Sequence, residues 1–243
     1  MKNKNAFTLA EVLITLGIIG VIAAMTLPTL VQKQQEKATV TALKKFYSTI
    51  SQAYLFAINE KGTVDNWGFT TGKAKELLTT IEPYLKFIKY CEVGEKCHPE
   101  ENVVFRNGAT YINEIFNPIN EARVSAILSD GSIIGAYLQS PDCSIVYGNN
   151  KALSNVCGEY MIDINGGKKP NQYGKDIFIF NITKYGIIPN GTENYTFNKY
   201  NFNDGCLNKT SEGFGCTAWV IYNENTDYFK CDDLAWDGKK KCK

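Results

Sequence analysis

The eight cysteines carry the clearest chemistry in this 243-residue chain. They are absent from the first 90 positions and form no Cys-x-x-Cys pair, which argues against zinc ribbons and thioredoxin-type redox sites. An even number confined to the later part of a chain is typical of disulfides made in an oxidising compartment, the alternative being buried free thiols. The sequence does not fix the pairing, and we expect bonds between sequence neighbours. These pairs are Cys91–Cys97, Cys143–Cys157, Cys206–Cys216 and Cys231–Cys242.

The single histidine, His98, leaves little material for acid–base catalysis and excludes multi-histidine metal sites. Adjacency to Cys97 does not give the geometry of a nucleophilic pair, so we expect His98 in an exposed loop. The net charge of +1 provides no basic excess for nucleic acid. We therefore expect a protein that is not an enzyme and has no nucleic-acid partner.

The candidate ligands for a calcium ion are Asp163, Asn165 and Asp176. Oxygen-bearing side chains at alternate positions beside Gly166 are typical of the start of a calcium loop, although the acid that closes an EF-hand is missing. The alternative is a turn in which Asp163 and Asn165 bond to local backbone amides. Calcium is the one cofactor that the sequence suggests.

The N-terminus begins with Lys2 and Lys4 and continues into an apolar stretch, with no charged side chain at positions 12–32. As a helix, at about 1.5 Å per residue, this run spans roughly 31 Å, enough for the hydrocarbon core of a bilayer. The leading lysines place the N-terminus in the cytoplasm and the cysteines outside. A secretory signal peptide cut near Ala24 is the alternative. Glu11 argues against it, since an acid in an apolar run is costly.

The helical pattern extends well beyond the apolar run. Apolar and aromatic residues recur at steps of three and four over positions 40–58, and neither Gly nor Pro interrupts positions 29–61. Gly62 is a natural C-terminal stop. One helix over 7–61 would be about 80 Å long, with 7–32 as its transmembrane part and the rest packed on a domain.

The segment 4–14, followed by such a helix, resembles the N-terminus of type IV prepilins and the related pseudopilins. In that family a prepilin peptidase removes a short basic leader just before a Phe, and the new amine is then N-methylated. The resemblance implies a leader of residues 1–6, cleavage between Ala6 and Phe7, and methylation of Phe7. Ala6 stands where most members have Gly.

Two more positions match the family. Glu11 corresponds to its near-invariant glutamate, and Pro28 to the proline that marks a bend in the membrane-proximal helix. A carboxylate in a membrane helix needs a partner, which the amine of Phe7 on a neighbouring subunit would supply. A head-to-tail contact of this kind does not close and propagates as a filament. The alternative is that Glu11 bonds a backbone amine of its own chain.

After the long helix the pattern changes to short β runs and turns. Positions 74–90 read as a second helix interrupted near Pro83, and Asp130-Gly131 is a strong two-residue hairpin signal. Strands are predicted at 103–105, 124–129, 132–138, 160–164, 177–182 and 218–222. An antiparallel sheet packed on a long helix is an α+β fold, and it is the fold that the pilin resemblance implies.

We interpret the chain as a bacterial prepilin-like protein with a leader (1–6), a long helix (7–61) and an extracytoplasmic head (62–243). It would cross the inner membrane once and then join a type IV pilus or the pseudopilus of a type II secretion or DNA-uptake machine. The implied partners are other pilin or pseudopilin subunits, the prepilin peptidase, the inner-membrane assembly machinery and membrane lipid. The alternative is a secreted or membrane-anchored disulfide-rich binding protein or adhesin.

Overall fold

The computed structural model describes residues 8–69 and 74–242 of the chain. Its first element, helix α1, spans Leu9–Lys61. The chain divides into two compact units, Met1–Ala38 and Thr39–Lys243, which we call the N-terminal unit and the head.

In the N-terminal unit, α1 presents apolar side chains that no other part of the unit covers. Leu9 is 78% exposed and Met25 is 73% exposed. By length and composition this helix is able to cross a membrane. It continues through Pro28, whose ring removes one backbone donor from the helix. The bend expected at Pro28 stays a prediction.

Within the head, α1 contributes one apolar stripe to the core. Steps of three and four place its buried residues on a single helix face, as the periodicity predicts. They are Val40, Leu43, Phe46, Ile50, Ala53, Tyr54 and Ala57. Burying a Leu, Ile or Phe side chain contributes about 1.5–3 kcal/mol. The helix ends at Gly62, which adopts a left-handed φ of 80° and donates its N–H to the Ile58 carbonyl at 2.9 Å.

The head contains eight strands among the described residues. In chain order they are β1 Phe87–Cys91, β2 Asn102–Val104, β3 Thr110–Ile112, β4 Arg123–Leu128, β5 Ile133–Leu138, β6 Val156–Asp163, β7 Ile177–Thr183 and β8 Gly186–Pro189. Six of them form an antiparallel sheet with the spatial order β1-β4-β5-β6-β7-β8, and β2 and β3 form a separate hairpin. The long helix, the antiparallel sheet and four disulfide bonds confirm the α+β, pilin-like fold class.

Both faces of the sheet are covered, so β6 and β7 are buried along their whole length. One face packs against α1 and two short helices, α2 Lys75–Thr79 and α3 Thr217–Asn223. The other face packs against loop residues such as Phe116, Leu153 and Tyr200. The remaining short elements are helical turns at Val64–Asn66, Glu82–Tyr84, Asn203–Leu207 and Asp227–Phe229.

The hairpin predicted at Asp130-Gly131 joins β4 to β5. Gly131 has a φ of 86°, which a glycine adopts without a steric penalty. Oδ1 of Asp130 accepts hydrogen bonds from the backbone N–H of Ser132 at 3.2 Å and from its hydroxyl at 2.6 Å. The local turn chemistry therefore fixes the register of this pair of strands.

Two predicted elements are wrong. The second helix expected over 74–90 is only α2 followed by a short turn, and its last part is strand β1, because pairing with β4 takes precedence over helical periodicity there. The strand expected at 218–222 is helix α3. Its residues 217–221 are buried on all sides, and a short, uniformly apolar run has no period that distinguishes helix from strand.

Candidate functional site

The N-terminal end of α1 is closed by a reciprocal pair of hydrogen bonds between Thr8 and Glu11. The backbone N–H and the hydroxyl of Thr8 each donate to Oε2 of Glu11 at 2.8 Å. The N–H of Glu11 contacts the hydroxyl oxygen of Thr8 at 3.2 Å. This is the capping-box arrangement, which satisfies donors that have no partner within the helix. Glu11 thus accepts a hydrogen bond from a backbone amine of its own chain, which is the alternative given above to pairing with a neighbouring subunit.

The rest of the apolar part of α1 keeps its hydroxyl groups bonded to its own backbone. Thr15 donates to the carbonyl of Glu11 at 2.9 Å, Thr26 to that of Ile22 at 2.9 Å, and Thr29 to that of Thr26 at 2.8 Å. Internal satisfaction of this kind is what a hydrocarbon environment requires. Ala6 and Phe7, the two residues of the expected cleavage site, lie outside the described residues.

Four disulfide bonds brace the head, and two of them attach a loop to a strand, through Cys91 of β1 and Cys157 of β6. The four bonds are Cys91–Cys97, Cys143–Cys157, Cys206–Cys216 and Cys231–Cys242. Each joins neighbouring cysteines in the sequence, with separations of 6 to 14 residues. The last bond closes a C-terminal loop that contains Trp236. The ring of Trp236 packs against those of Trp219 and Phe202, with centroid separations of 5.1 Å and 5.9 Å. The disulfides therefore restrain the loops that cover the sheet and the C-terminal segment.

The three calcium candidates lie together, Asp163 at the end of β6 and the other two in the connection to β7, and nitrogen donors bond both carboxylates. Asp163 accepts from the backbone N–H groups of Asn165 and Gly166 through Oδ1, and from that of Gly167 through Oδ2. Asp176 accepts from the amide of Asn165 at 2.9 Å and from two backbone N–H groups that follow Pro170. Burial raises the pKa of Asp176 to about 6.

These bonds are those of a turn that organises its own backbone. Among the described residues, no group of three or more His, Cys, Asp and Glu side chains is placed to hold a metal ion. The calcium site stays a prediction. The carboxylate oxygens that would bind the ion already accept hydrogen bonds from N–H groups.

His98 does not lie in an exposed loop, as expected from the sequence; it is 1% exposed. Nε2 donates to Oδ2 of Asp163 at 3.0 Å, and Nδ1 accepts from the N–H of Glu100 at 3.1 Å. The ring stacks on Phe116 with a centroid separation of 5.7 Å. Sequence reasoning missed this pair because its members are 65 positions apart. The adjacent Cys97 and Pro99 are the local signals in the sequence that this loop has a fixed structure.

Comparison with known proteins adds evidence at both ends of the chain. Nothing among the curated proteins and nothing among the solved structures matches it. Residues 1–27 match the prokaryotic N-terminal methylation motif, which confirms the resemblance to type IV prepilins and pseudopilins. Residues 29–233 match the family of unknown function DUF6613, and because that match covers most of the chain, the protein belongs to this family.

Proposed function

We propose that the protein is a structural subunit, a pilin or pseudopilin, of a bacterial type IV pilus-like or type II secretion filament. A prepilin peptidase would cut the chain between Ala6 and Phe7 and the new N-terminus would be methylated. The mature chain would consist of the long helix, 7–61, and the head, 62–243. It would act by being processed and assembled, with no catalytic step of its own.

The observation that carries this proposal is the methylation motif at 1–27 directly joined to an exposed apolar helix. Side chains as apolar as Leu13 and Ile19, more than 60% exposed each, need a covering of lipid or of like helices. A single-pass subunit finds the first covering in the inner membrane and the second in a filament. Both coverings use the same surface, so subunits pass from one to the other without refolding the head.

Glu11 gives the assembly its register in this proposal. Its carboxylate lies in the first turn of α1, held by Thr8 of the same chain. An incoming subunit offers the charged amine of Phe7, and a charge-assisted bond to it is stronger than the bonds to neutral donors in the cap. If Glu11 exchanges Thr8 for the amine of Phe7, each subunit is linked to the next at one fixed axial offset. The other side chains on this part of α1 are mainly apolar, so they do not favour one offset over another.

The processing step is tested by mass spectrometry of the mature chain from a bacterium with its prepilin peptidase and from a strain lacking it. We expect a terminus at N-methyl-Phe7 in the first strain and the uncut chain in the second. Ala6→Gly should be cut normally and Ala6→Leu should remain uncut. A mature terminus near Met25 in both strains would instead identify a secreted, disulfide-rich binding protein or adhesin. Recovery of the chain in the sheared surface fraction tests the filament itself.

A further inference from the structure

A cleft of about 320 Å³ lies between the segment that follows β8 and the loop closed by Cys231–Cys242. Residues within 192–203 form one side of the cleft, and residues 235–237 form the other. The volume is at the lower end of the range that small-molecule sites occupy in proteins. The lining includes none of the residues assigned above to processing, assembly or calcium.

One wall of the cleft is aromatic. Trp236 is partly exposed, whereas Tyr195 and Phe202 are 5% and 2% exposed. The indole N–H of Trp236 donates to the carbonyl of Gly191 at 3.0 Å, so a ligand in the cleft meets this ring through its carbon atoms. The rings of Trp219 and Phe202 meet that of Trp236 at 59° and 63°, so neither stacks flat on it. The wall is a fixed aromatic surface, and the faces of such rings attract weakly positive C–H groups.

The rest of the lining provides polar groups that the protein itself does not use. They are the hydroxyl of Thr192, the carboxylates of Glu193 and Asp237 and the amide of Asn203. Within the described part of the chain, none of these four side chains has a hydrogen-bond or ion-pair partner. The cleft therefore offers both donors and acceptors around one aromatic surface.

The charges around the cleft indicate the class of ligand. Two carboxylates and no basic side chain are found among its described lining residues, so a phosphate, sulfate or carboxylate group would be repelled. An organic cation is disfavoured by Lys240, whose ammonium already lies 5.5 Å from the centre of the Trp236 ring and donates to the carbonyl of Ala235 at 3.0 Å. A metal ion is also disfavoured, because the described residues form no group of three or more His, Cys, Asp and Glu side chains that could hold one. A neutral molecule with an apolar ring face and several hydroxyl groups fits the lining best.

We propose that the cleft binds a neutral saccharide, with one sugar ring packed on Trp236 and its hydroxyl groups bonded to the carboxylates of Glu193 and Asp237. The C–H groups on one face of a pyranose ring suit the indole surface. The hydroxyls at the rim of the sugar ring donate to carboxylate oxygens and accept from the amide of Asn203. Bonds to ionised acceptors are stronger than bonds between neutral groups, so the two carboxylates select among sugars that differ in the orientation of their hydroxyls.

Both walls of the cleft are held in place by bonds within the head. The N–H of Ala235 donates to the carbonyl of Lys239 at 3.0 Å, which closes the turn that carries Trp236. On the opposite wall, the amide nitrogen of Asn201 donates to Oδ2 of Asp204 at 2.9 Å, and its oxygen accepts from the N–H of Asp204 at 2.7 Å. Because these walls are already ordered, a small ligand binds without the entropic cost of fixing loops.

The test uses an array of immobilised neutral, anionic and cationic oligosaccharides and the fluorescently labelled full chain. The chain is kept in a polyoxyethylene detergent, which has no sugar head group to compete for the cleft. Single chains are used, so the result does not depend on the filament proposed above. We expect binding to a subset of neutral oligosaccharides that share one sugar, and the soluble form of that oligosaccharide is then titrated in solution.

Variants at the exposed carboxylates connect this binding to the cleft. Glu193→Ala and Asp237→Ala should each weaken it about tenfold, and the double variant about a hundredfold. The matched control is Asp232→Ala, which removes an exposed acid of the same disulfide loop that does not line the cleft and should bind like the wild type. An unchanged midpoint of urea unfolding in all variants separates lost binding from lost folding.

Two results of these titrations would overturn the inference. The first is a wild type that binds no neutral saccharide, or binds one as tightly as the double variant does. The second is a preference for the polyamine spermidine over every neutral saccharide, because the cleft would then be a cation site.

A second measurement uses the unmodified sequence. With ¹⁵N-labelled tryptophan, the indole resonance of Trp236, assigned through Trp236→Phe, should shift when the saccharide is added. The resonance of Trp67, which does not line the cleft, should stay in place. A saccharide that binds without shifting the Trp236 resonance would show that the binding site lies elsewhere and would reject the cleft.

Discussion

Nε2 of His98 lies 3.0 Å from Oδ2 of Asp163, and both side chains are completely buried. The contact joins the loop closed by Cys91–Cys97 to the turn that connects β6 and β7. Asp163 also accepts three backbone N–H bonds from that turn, so one carboxylate organises two loops. The single histidine of the chain therefore fixes the position of one loop of the head relative to another.

Replacing His98 should destabilise the head strongly. His98→Ala removes a charge-assisted bond to a buried carboxylate and the stacking on Phe116. We expect the free energy of unfolding to fall by about 2–4 kcal/mol, measured in urea on the full chain in detergent. Asp232→Asn, in an exposed pair with Lys209, is the control and should give no measurable change. A His98→Ala chain as stable as the control would show that the contact is incidental.

The parts of this structure that the sequence predicts are those with local signals. Asp130-Gly131 specifies a hairpin from two residues, and the α1 stripe over 40–58 repeats often enough to define one face. The methylation motif is equally local, since 1–27 contains all of it. In each case the physical cause acts within a few turns or strand positions.

The parts that sequence reasoning missed depend on distant partners. Residues 87–91 become a strand because β4 is available to pair with them, and nothing in their own pattern requires it. Residues 217–221 of helix α3 are all buried, so their apolar pattern has no period that distinguishes a helix from a strand. His98 gains its role from Asp163, and this relationship arises only when the sheet and its covering loops are assembled.

The roles of Glu11 in capping and in assembly are separable by a pair of variants. Thr8→Val removes the hydroxyl of the cap but leaves the carboxylate, whereas Glu11→Ala removes the carboxylate. If Glu11 pairs with the amine of a neighbouring subunit, Glu11→Ala should insert in the membrane normally and be absent from sheared filaments. Thr8→Val should still assemble. Equal loss of assembly in both variants would assign Glu11 to capping, and normal assembly of Glu11→Ala would reject the intersubunit pair.

Gly166 and Gly131 offer a test of close packing at matched backbone strain. Both have left-handed φ angles, 73° and 86°, so alanine costs about 1 kcal/mol at either position. A Cβ on Gly166 would lie 2.0 Å from the carbonyl oxygen of Gly131, whereas one on Gly131 meets nothing within 4 Å. We expect Gly131→Ala to lower the free energy of unfolding by about 1 kcal/mol and Gly166→Ala by about 2–4 kcal/mol. Equal losses in urea unfolding would mean that the two turns do not touch in solution.

The C-terminal disulfide should control the order of the last loop. Replacing Cys231 and Cys242 together by Ser releases a loop whose Trp236 packs on Trp219. We expect a loss of about 3 kcal/mol in the free energy of unfolding, from the chain entropy of the opened loop. Limited proteolysis should cut the double variant after Lys239 or Lys240 and leave the wild type intact. An uncut variant with unchanged tryptophan fluorescence would show that packing alone holds the loop.

Calcium should not stabilise the head if the bonds at Asp163 and Asp176 describe the working state. A cation at this site would have to displace N–H donors from backbone positions that the turn holds fixed, and the displaced N–H groups would then be buried without partners. We expect the urea midpoint of the full chain to be the same in excess calcium and in excess chelator. A midpoint that rises with calcium in the wild type but not in Asp176→Asn would establish the site instead. Ligand linkage would then give the affinity, because the gain in stability grows with the logarithm of calcium concentration above the Kd.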